Sequence, residues 1–121
     1  MEPRSTLVVG ASPEPSRYSN RAAHRLLGAG HPVALLGKRT GEIAGIPIQQ
    51  SLEPGIAVHT ITMYVAPAHQ HALMKELLAL QPERIIFNPG TENPYFEAEA
   101  RTMGIEVVEG CTLVMLATGQ F

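Results

Sequence analysis

The chain lacks several features that define whole classes of protein. Its 121 residues include one cysteine, Cys111, and no tryptophan, and only 5% are aromatic. A single cysteine excludes an internal disulfide and is typical of a reducing, cytoplasmic compartment. No apolar run approaches the roughly 18 residues that a membrane-spanning helix needs. The formal net charge of −2 gives no basic excess, so we expect neither a membrane nor a nucleic acid as partner.

Alternating strand and helix patterns fill the chain. Hydrophobic residues make up 45% of it and charged residues 17%, as in a globular domain. Short apolar segments predict strands at residues 5–9, 33–36, 60–65, 84–87 and 105–108. Apolar strands separated by helices predict a parallel sheet covered on both faces. The expected fold is α/β: a three-layer, doubly wound parallel sheet of about five strands, in one domain over residues 1–121.

Capping residues locate the helices between these strands. Ser19 or Asn20 is predicted to cap the first helix. Pro67 suits the first turn of the second helix. Asn93 is predicted to cap the third, with Pro94 at its first position. The remaining segments are a predicted loop and a predicted short helix, at residues 41–55 and 112–117.

A doubly wound sheet binds its ligand at the carboxyl ends of its strands. The first loop there has Gly10, which lets the backbone turn, followed by the backbone N–H groups of Ala11 and Ser12. Ser16 adds a hydroxyl group, and Arg17 adds a guanidinium group suited to phosphate. With a helix N-terminus behind them, these residues predict a pyrophosphate site. The alternative is an ordinary strand-to-helix loop, because only Gly10 of the glycine fingerprint is present.

Two cations follow the second predicted strand, in the sequence Gly37-Lys38-Arg39. In a dinucleotide-binding fold an Asp or Glu at this position holds a free ribose 2′-hydroxyl, whereas a phosphorylated ribose needs basic groups. The pair therefore favours a nucleotide with an additional ribose phosphate over NAD. The alternative is a solvated surface turn. Residues 88–93 are likewise either a tight turn with a helix cap or a ligand-facing loop in which Asn88 faces the crevice.

No catalytic constellation and no metal site is predicted. No sequence pattern pairs Cys111 with a histidine or an acidic residue. A lone cysteine is typically a small buried side chain. His69 and His71 are two positions apart on a predicted helix, so their side chains should diverge. Glu97 and Glu99 predict a solvated helix face.

Six short motifs follow one another between Thr6 and about Leu116. They are V-V-G-A-S-P at 8–13, S-R-Y-S at 16–19, G-H-P-V at 30–33, G-E-I-A-G at 41–45, N-P-G at 88–90 and G-I-E-V-V-E-G-C-T at 104–112. In this order they resemble the family of small CoA-binding domain proteins. The resemblance implies a Rossmann-like fold that also occurs in succinyl-CoA synthetase α subunits, and coenzyme A or an acyl-CoA as ligand.

The resemblance also implies which residues bind that ligand. The phosphates would meet the first loop, at Gly10, Ala11, Ser12 and Arg17, with Ser16 beside them. Lys38, after Gly37, would approach the ribose 3′-phosphate, although family members commonly have an Asn-Pro pair at these two positions. The adenine or ribose would be flanked by Val65, Ala66 and Pro67, and the pantetheine side would be lined by Asn88 and Gly90.

The expected function is a non-catalytic, cytoplasmic module that binds CoA or an acyl-CoA. The alternative is a small NADP-linked oxidoreductase or a CoA-transferring enzyme subunit using Cys111, since Lys38 and Arg39 would also suit a 2′-phosphate. Ligase activity by this chain alone is not expected, because the synthetase's domain with the phosphorylated histidine is missing. The apolar residues 113–116 would pack internally or against another subunit, which leaves a homo-oligomer or a synthetase-type partner open.

Overall fold

Five parallel strands form the central sheet of the computed structural model, which describes residues 2–121. In their order across the sheet, the strands are β2 (Val33–Leu36), β1 (Thr6–Val9), β5 (Thr60–Met63), β6 (Arg84–Phe87) and β7 (Glu106–Glu109). The register places Leu7 of β1 between Ala34 and Ile61 of its two neighbours. The predicted α/β fold is confirmed, and the predicted strands differ from the observed ones only at their ends.

Four α-helices connect and cover these strands. They are α1 (Tyr18–Gly28), α2 (His71–Ala79), α3 (Pro94–Thr102) and α4 (Thr112–Ala117). Within residues 2–121, none of the helices has the length and apolar character needed to cross a membrane. Helices α1, α2 and α3 connect strands over the faces of the sheet and α4 follows β7, whereas β2 is joined to β5 without an α-helix. The carboxyl edge of the sheet is lined by loops.

The start of α1 differs from the prediction. Arg17 takes the N-cap position with extended backbone angles and no side-chain cap, so the helix begins at Tyr18. Asn20, one of the two predicted caps, lies inside the first turn and donates from Nδ2 to the Ser12 carbonyl at 2.9 Å. The prediction of Ser19 or Asn20 as the cap was wrong, because this amide stabilises the preceding loop instead of a helix end.

The second and third helices begin close to their predicted positions. Pro67 opens a 3-10 turn, Pro67–His69, and α2 follows only after Gln70. At α3, Asn93 Oδ1 accepts from the Phe96 N–H at 3.2 Å, and Pro94 is the first helical residue. The predicted cap of α3 is confirmed.

Residues 41–55, predicted as a loop, contain a two-stranded antiparallel hairpin. It consists of β3 (Glu42–Ile43) and β4 (Ile46–Pro47). Gln49, just beyond it, forms a bridge with Leu36 at the outer edge of β2. The hairpin therefore lies beside the carboxyl end of the sheet and helps to position the turn after β2.

The sheet has a separate apolar core on each face. Side chains alternate along β1, so Val9 joins the core under α2 and α3 and Val8 joins the core under α1 and α4. In the first core, the rings of Phe87 and Phe96 meet edge to face with centroids 5.4 Å apart. This two-sided burial explains why consecutive apolar residues occupy β1, β2 and β6 rather than alternating with polar ones.

At the amino ends of the strands, Phe121 packs against two basic side chains. Its ring centroid lies 4.9 Å from that of His31 and 4.3 Å from the Arg84 guanidinium carbon. His31 Nδ1 accepts from the Arg4 backbone N–H at 2.9 Å, and Nε2 is buried without a hydrogen-bond partner. Burial lowers the pKa of His31, and Arg4 and Arg84 lower it further.

Candidate functional site

Two clefts lie side by side at the carboxyl edge of the sheet. Cleft A has a volume of about 380 Å³ and is lined by Gly10, Ala11, Ser12, Arg17, Tyr18, Ser19, Lys38, Arg39, Tyr64, Val65, Pro89 and Thr91. Cleft B has a volume of about 450 Å³ and is lined by Val9, Gly10, Leu36, Gly37, Lys38, Gln50, Val65, Ala68, His69, His71, Ala72 and Leu73. Gly10, Lys38 and Val65 belong to both, so the clefts adjoin.

Gly10 brings three loops together at this edge. Its φ of +92° is a left-handed conformation that favours glycine, and a Cβ atom would lie 3.0 Å from the carbonyl carbon of Tyr64. The N–H groups of Gly10 and Ala11 both donate to the Leu36 carbonyl, at 2.8 and 2.9 Å. The Ala11 N–H is therefore engaged within the protein, and an expected phosphate contact from that group would require breaking this bond.

Gly37 makes a second close approach between loops. A Cβ atom there would overlap the carbonyl oxygen of Ala11 and would lie 3.1 Å from Ile48 Cγ2. The Gly37 N–H donates to the Gln49 carbonyl at 2.9 Å. Only glycine therefore allows the turn after β2, which carries Lys38, to lie directly against the loop after β1.

Three cations line cleft A, from the loops that follow β1 and β2. Arg39 Nη1 lies 3.4 Å from Glu14 Oε1, and both side chains are more than half exposed, so this pair contributes little. Within residues 2–121, no ion pair engages Arg17 or Lys38. The cleft therefore combines a local cationic surface with a chain whose net charge is negative.

Asn88 does not face the crevice. It is 2% exposed, and its Nδ2 donates to Thr62 Oγ1 and to the Met63 carbonyl, both at 2.8 Å. Its Oδ1 accepts from the Thr112 N–H at 2.9 Å. The interpretation of Asn88 as a ligand-facing side chain was wrong, because this amide joins β5 and β6 to the start of α4.

The structure brings together part of the predicted site and leaves part of it outside. The predicted site residues that line a cleft are Gly10, Ala11, Ser12, Arg17, Gly37, Lys38 and Val65. Those that line neither cleft are Ser16, Ala66, Pro67, Asn88 and Gly90. The Gly90 N–H donates to Glu92 Oε1 at 2.8 Å within its own turn, and its neighbours Pro89 and Thr91 line cleft A instead.

A buried glutamine, absent from the predicted site, holds the loops in place. Gln70 is fully buried, and its Nε2 donates to the carbonyls of Val65 at 2.8 Å and Thr91 at 2.7 Å. Its Oε1 accepts from Asn93 Nδ2 at 2.9 Å. Gln70 thus joins the loop after β5 to the loop after β6, a role that no local motif indicates.

The sequence and fold of this chain match those of known proteins. Residues 4–117 match the model of the CoA binding domain family. The chain belongs to that family. An uncharacterized protein of known crystal structure is 43% identical to it, with 100% of each chain covered and a TM-score of 0.96.

More distant solved structures share this fold. A conserved hypothetical protein from Pyrococcus furiosus is 27% identical, with 87% of this chain and 91% of that chain covered and a TM-score of 0.75. A protein from Thermus thermophilus is 24% identical, with 98% and 91% covered and a TM-score of 0.83, a likeness of fold alone. None of the curated proteins matches this chain.

In this CoA binding domain, a tyrosine ring forms part of the wall of cleft A. Burial raises the pKa of Tyr64 to about 12, against the opposing effect of the Thr112 and Thr62 hydroxyls and with a smaller contribution from Cys111. Neither hydroxyl makes a well-aligned hydrogen bond with the Tyr64 oxygen, which is buried and without a partner. Burial therefore dominates, and Tyr64 remains protonated at neutral pH.

The thiol and the two carboxylates of α3 that the sequence analysis considered lie outside both clefts. Cys111 is half-buried and lines neither. Glu97, predicted on a solvated face, is instead buried, and its Oε2 accepts from the Asn93 N–H at 2.9 Å. A hydrogen bond with Glu97, and then its charge, raises the pKa of the exposed Glu109. Within residues 2–121, no group of three or more His, Cys, Asp or Glu side chains is placed to hold a metal ion.

Proposed function

We propose that the chain is a non-catalytic, cytoplasmic module that binds coenzyme A or an acyl-CoA across clefts A and B, with residues 1–121 forming the single binding unit. Membership of the CoA binding domain family supports the ligand class. The observation that carries the proposal is the cationic lining of cleft A, where Arg17 and Lys38 converge from two loops.

The chemistry of the cleft suits a phosphorylated nucleotide. A pyrophosphate needs cationic or N–H donors, and a guanidinium binds phosphate through two parallel hydrogen bonds. Arg17 and Ser12 line cleft A, where the predicted phosphate contacts lie. Volumes of about 380 and 450 Å³ lie in the range of ordinary ligand pockets.

A non-catalytic role is supported by where the nucleophile lies. A thiol that transfers an acyl or CoA group has to reach the bound ligand, and Cys111 lies outside both linings. The tyrosine that does line cleft A has a buried hydroxyl oxygen and a pKa raised to about 12, so it is not suited to act as a base on a ligand at neutral pH.

One observation favours a second candidate, an NADP-linked role. Lys38 and Arg39 both line cleft A immediately after β2, and in dinucleotide-binding folds that position accommodates a ribose 2′-phosphate. The same cations would serve the 3′-phosphate of CoA, so the choice between the two ligands has to be made by titration.

Calorimetric titration with CoA, 3′-dephospho-CoA, NADP and NAD tests the proposal. We expect CoA to bind, and Arg17→Gln or Lys38→Gln to weaken its binding roughly tenfold or more, because each removes charge-assisted hydrogen bonds. Arg25→Gln and Lys75→Gln are matched controls, since both side chains are exposed and line neither cleft. Binding of NADP without CoA would establish the second candidate, and binding of none of the four would refute both.

A further inference from the structure

Cleft B has two basic side chains of its own, in addition to Lys38, which it shares with cleft A. Its lining is largely aliphatic, from Leu36, Val65 and Leu73 among others, and its basic groups are Lys38, His69 and His71. Both histidines are exposed, and within residues 2–121 neither takes part in a hydrogen bond or an ion pair from its side chain. Three basic side chains without an internal partner therefore surround an apolar cleft.

The two histidines reach the same cleft because the helix is interrupted between them. On a continuous α-helix, residues two apart point to nearly opposite sides, which is why the sequence predicts that they diverge. In the structure, His69 ends the 3-10 turn and His71 begins α2. The change of helix type at Gln70 places both side chains in the lining of cleft B.

The backbone that carries these histidines is held firmly. Gln70, between them, is fully buried, and its side chain makes three hydrogen bonds of 2.7 to 2.9 Å, one within its own loop after β5 and two with the loop after β6. The residues on either side are consequently directed outward from an anchored position. Imidazoles carried on an anchored backbone lose less conformational freedom on binding than groups on a mobile loop.

We propose that His69 and His71, together with Lys38, recognise the ribose 3′-phosphate of the ligand in cleft B, while Arg17 in cleft A meets the pyrophosphate. This inference rests on the proposed CoA-binding function and assigns its two phosphate groups to two surfaces. CoA carries these groups at separate positions, and Lys38 lines both clefts where they adjoin. Histidine N–H groups donate to phosphate oxygens whether the imidazole is neutral or charged.

The test compares two ligands that differ only in the 3′-phosphate. For the wild type and for the double variant His69→Gln/His71→Gln, the ratio of the dissociation constants of 3′-dephospho-CoA and CoA is measured by calorimetry. We expect the double variant to lower this preference for CoA about tenfold and to leave the affinity for 3′-dephospho-CoA nearly unchanged. His24→Gln is the matched control, because His24 is exposed on α1 and lines neither cleft.

A spectroscopic readout separates a direct contact from an effect on folding. Addition of CoA, but not of 3′-dephospho-CoA, should shift the imidazole NMR signals of His69 and His71 in the wild type. If the wild type binds CoA and the double variant keeps its full preference, the assignment to these histidines is wrong while the proposed function stands. Loss of the preference in Arg39→Gln instead would place the 3′-phosphate in cleft A. Failure of the wild type to bind CoA would refute the proposed function itself.

Discussion

Substitution of Gly37 by alanine should damage the site through one contact. The new Cβ atom would overlap the carbonyl oxygen of Ala11 and would lie 3.2 Å from its carbonyl carbon. The obstructing atoms belong to the backbone, so no side-chain rotation relieves the contact and the two loops have to separate. Overpacking of this kind costs about 1–3 kcal/mol of folding free energy. Since Gly37 is not among the glycines with positive φ, conformational strain adds nothing to this figure.

The matched control is Gly28→Ala. Gly28 is the last residue of α1, and a Cβ atom there would have nothing within 4 Å. Alanine in a helix is favoured over glycine by up to about 1 kcal/mol, so this variant should be neutral or slightly stabilised. The two substitutions add the same methyl group and differ in its surroundings.

Urea denaturation measures both effects. With a slope of about 1–3 kcal/mol/M, Gly37→Ala should lower the unfolding midpoint by roughly 1 M, whereas Gly28→Ala should leave it unchanged or raise it slightly. The separation of the loops should also lower the affinity for any ligand that contacts Lys38. A midpoint for Gly37→Ala equal to that of the wild type would refute the close approach between the loops after β1 and β2.

Three further predictions concern titrating groups. Because burial lowers the pKa of His31, its contribution to the free energy of unfolding is present above pH 6.5 and is lost as the pH falls. That loss has a slope of at most about 1.4 kcal/mol per pH unit, and His31→Gln, but not His24→Gln, should reduce the slope of stability against pH. Tyr64 should be the last of the three tyrosines to ionise in an absorbance titration, near its pKa of about 12. Its contribution to stability is lost as the pH rises through that value, and Tyr64→Phe should remove the last transition. Glu109→Gln should raise the free energy of unfolding at pH 7, because Glu97 raises the pKa of Glu109. An equally large gain at pH 3, where Glu109 itself is protonated, would contradict this.

The sheet was predictable because its signals are local and repeated. Each strand is a short segment built around apolar or β-branched residues, and the cap at Asn93 has its partner only three residues away, at Phe96. The cap of α1 was not predictable on the same basis. Asn20 is a good capping residue in isolation, but the Ser12 carbonyl, eight positions earlier, engages its amide. A tertiary contact therefore decided where that helix begins.

The candidate site was predictable to the extent that it follows strand ends. Gly10, Arg17 and Lys38 stand just beyond β1 and β2, so the topology alone brings them together. Asn88 stands beyond β6 in the same way, yet its side chain turns inward to satisfy buried groups of β5 and α4. A polar residue at a strand end can bind a ligand or form hydrogen bonds within the protein. Which of the two it does depends on partners distant in sequence, which no local pattern specifies.

The two edges of the sheet have a consequence for how copies of the chain can meet. At the β2 edge, the backbone carbonyl of Gln49 accepts from the Gly37 N–H, and the backbone N–H of Gln49 donates to the Leu35 carbonyl, both at 2.9 Å. At the β7 edge, the exposed Glu106 and Glu109 place like charges along the last strand. Occupied backbone groups and edge charges both discourage the addition of a foreign strand. Extension of the sheet from one molecule to the next is thereby disfavoured, and contacts between copies would fall to the helical faces.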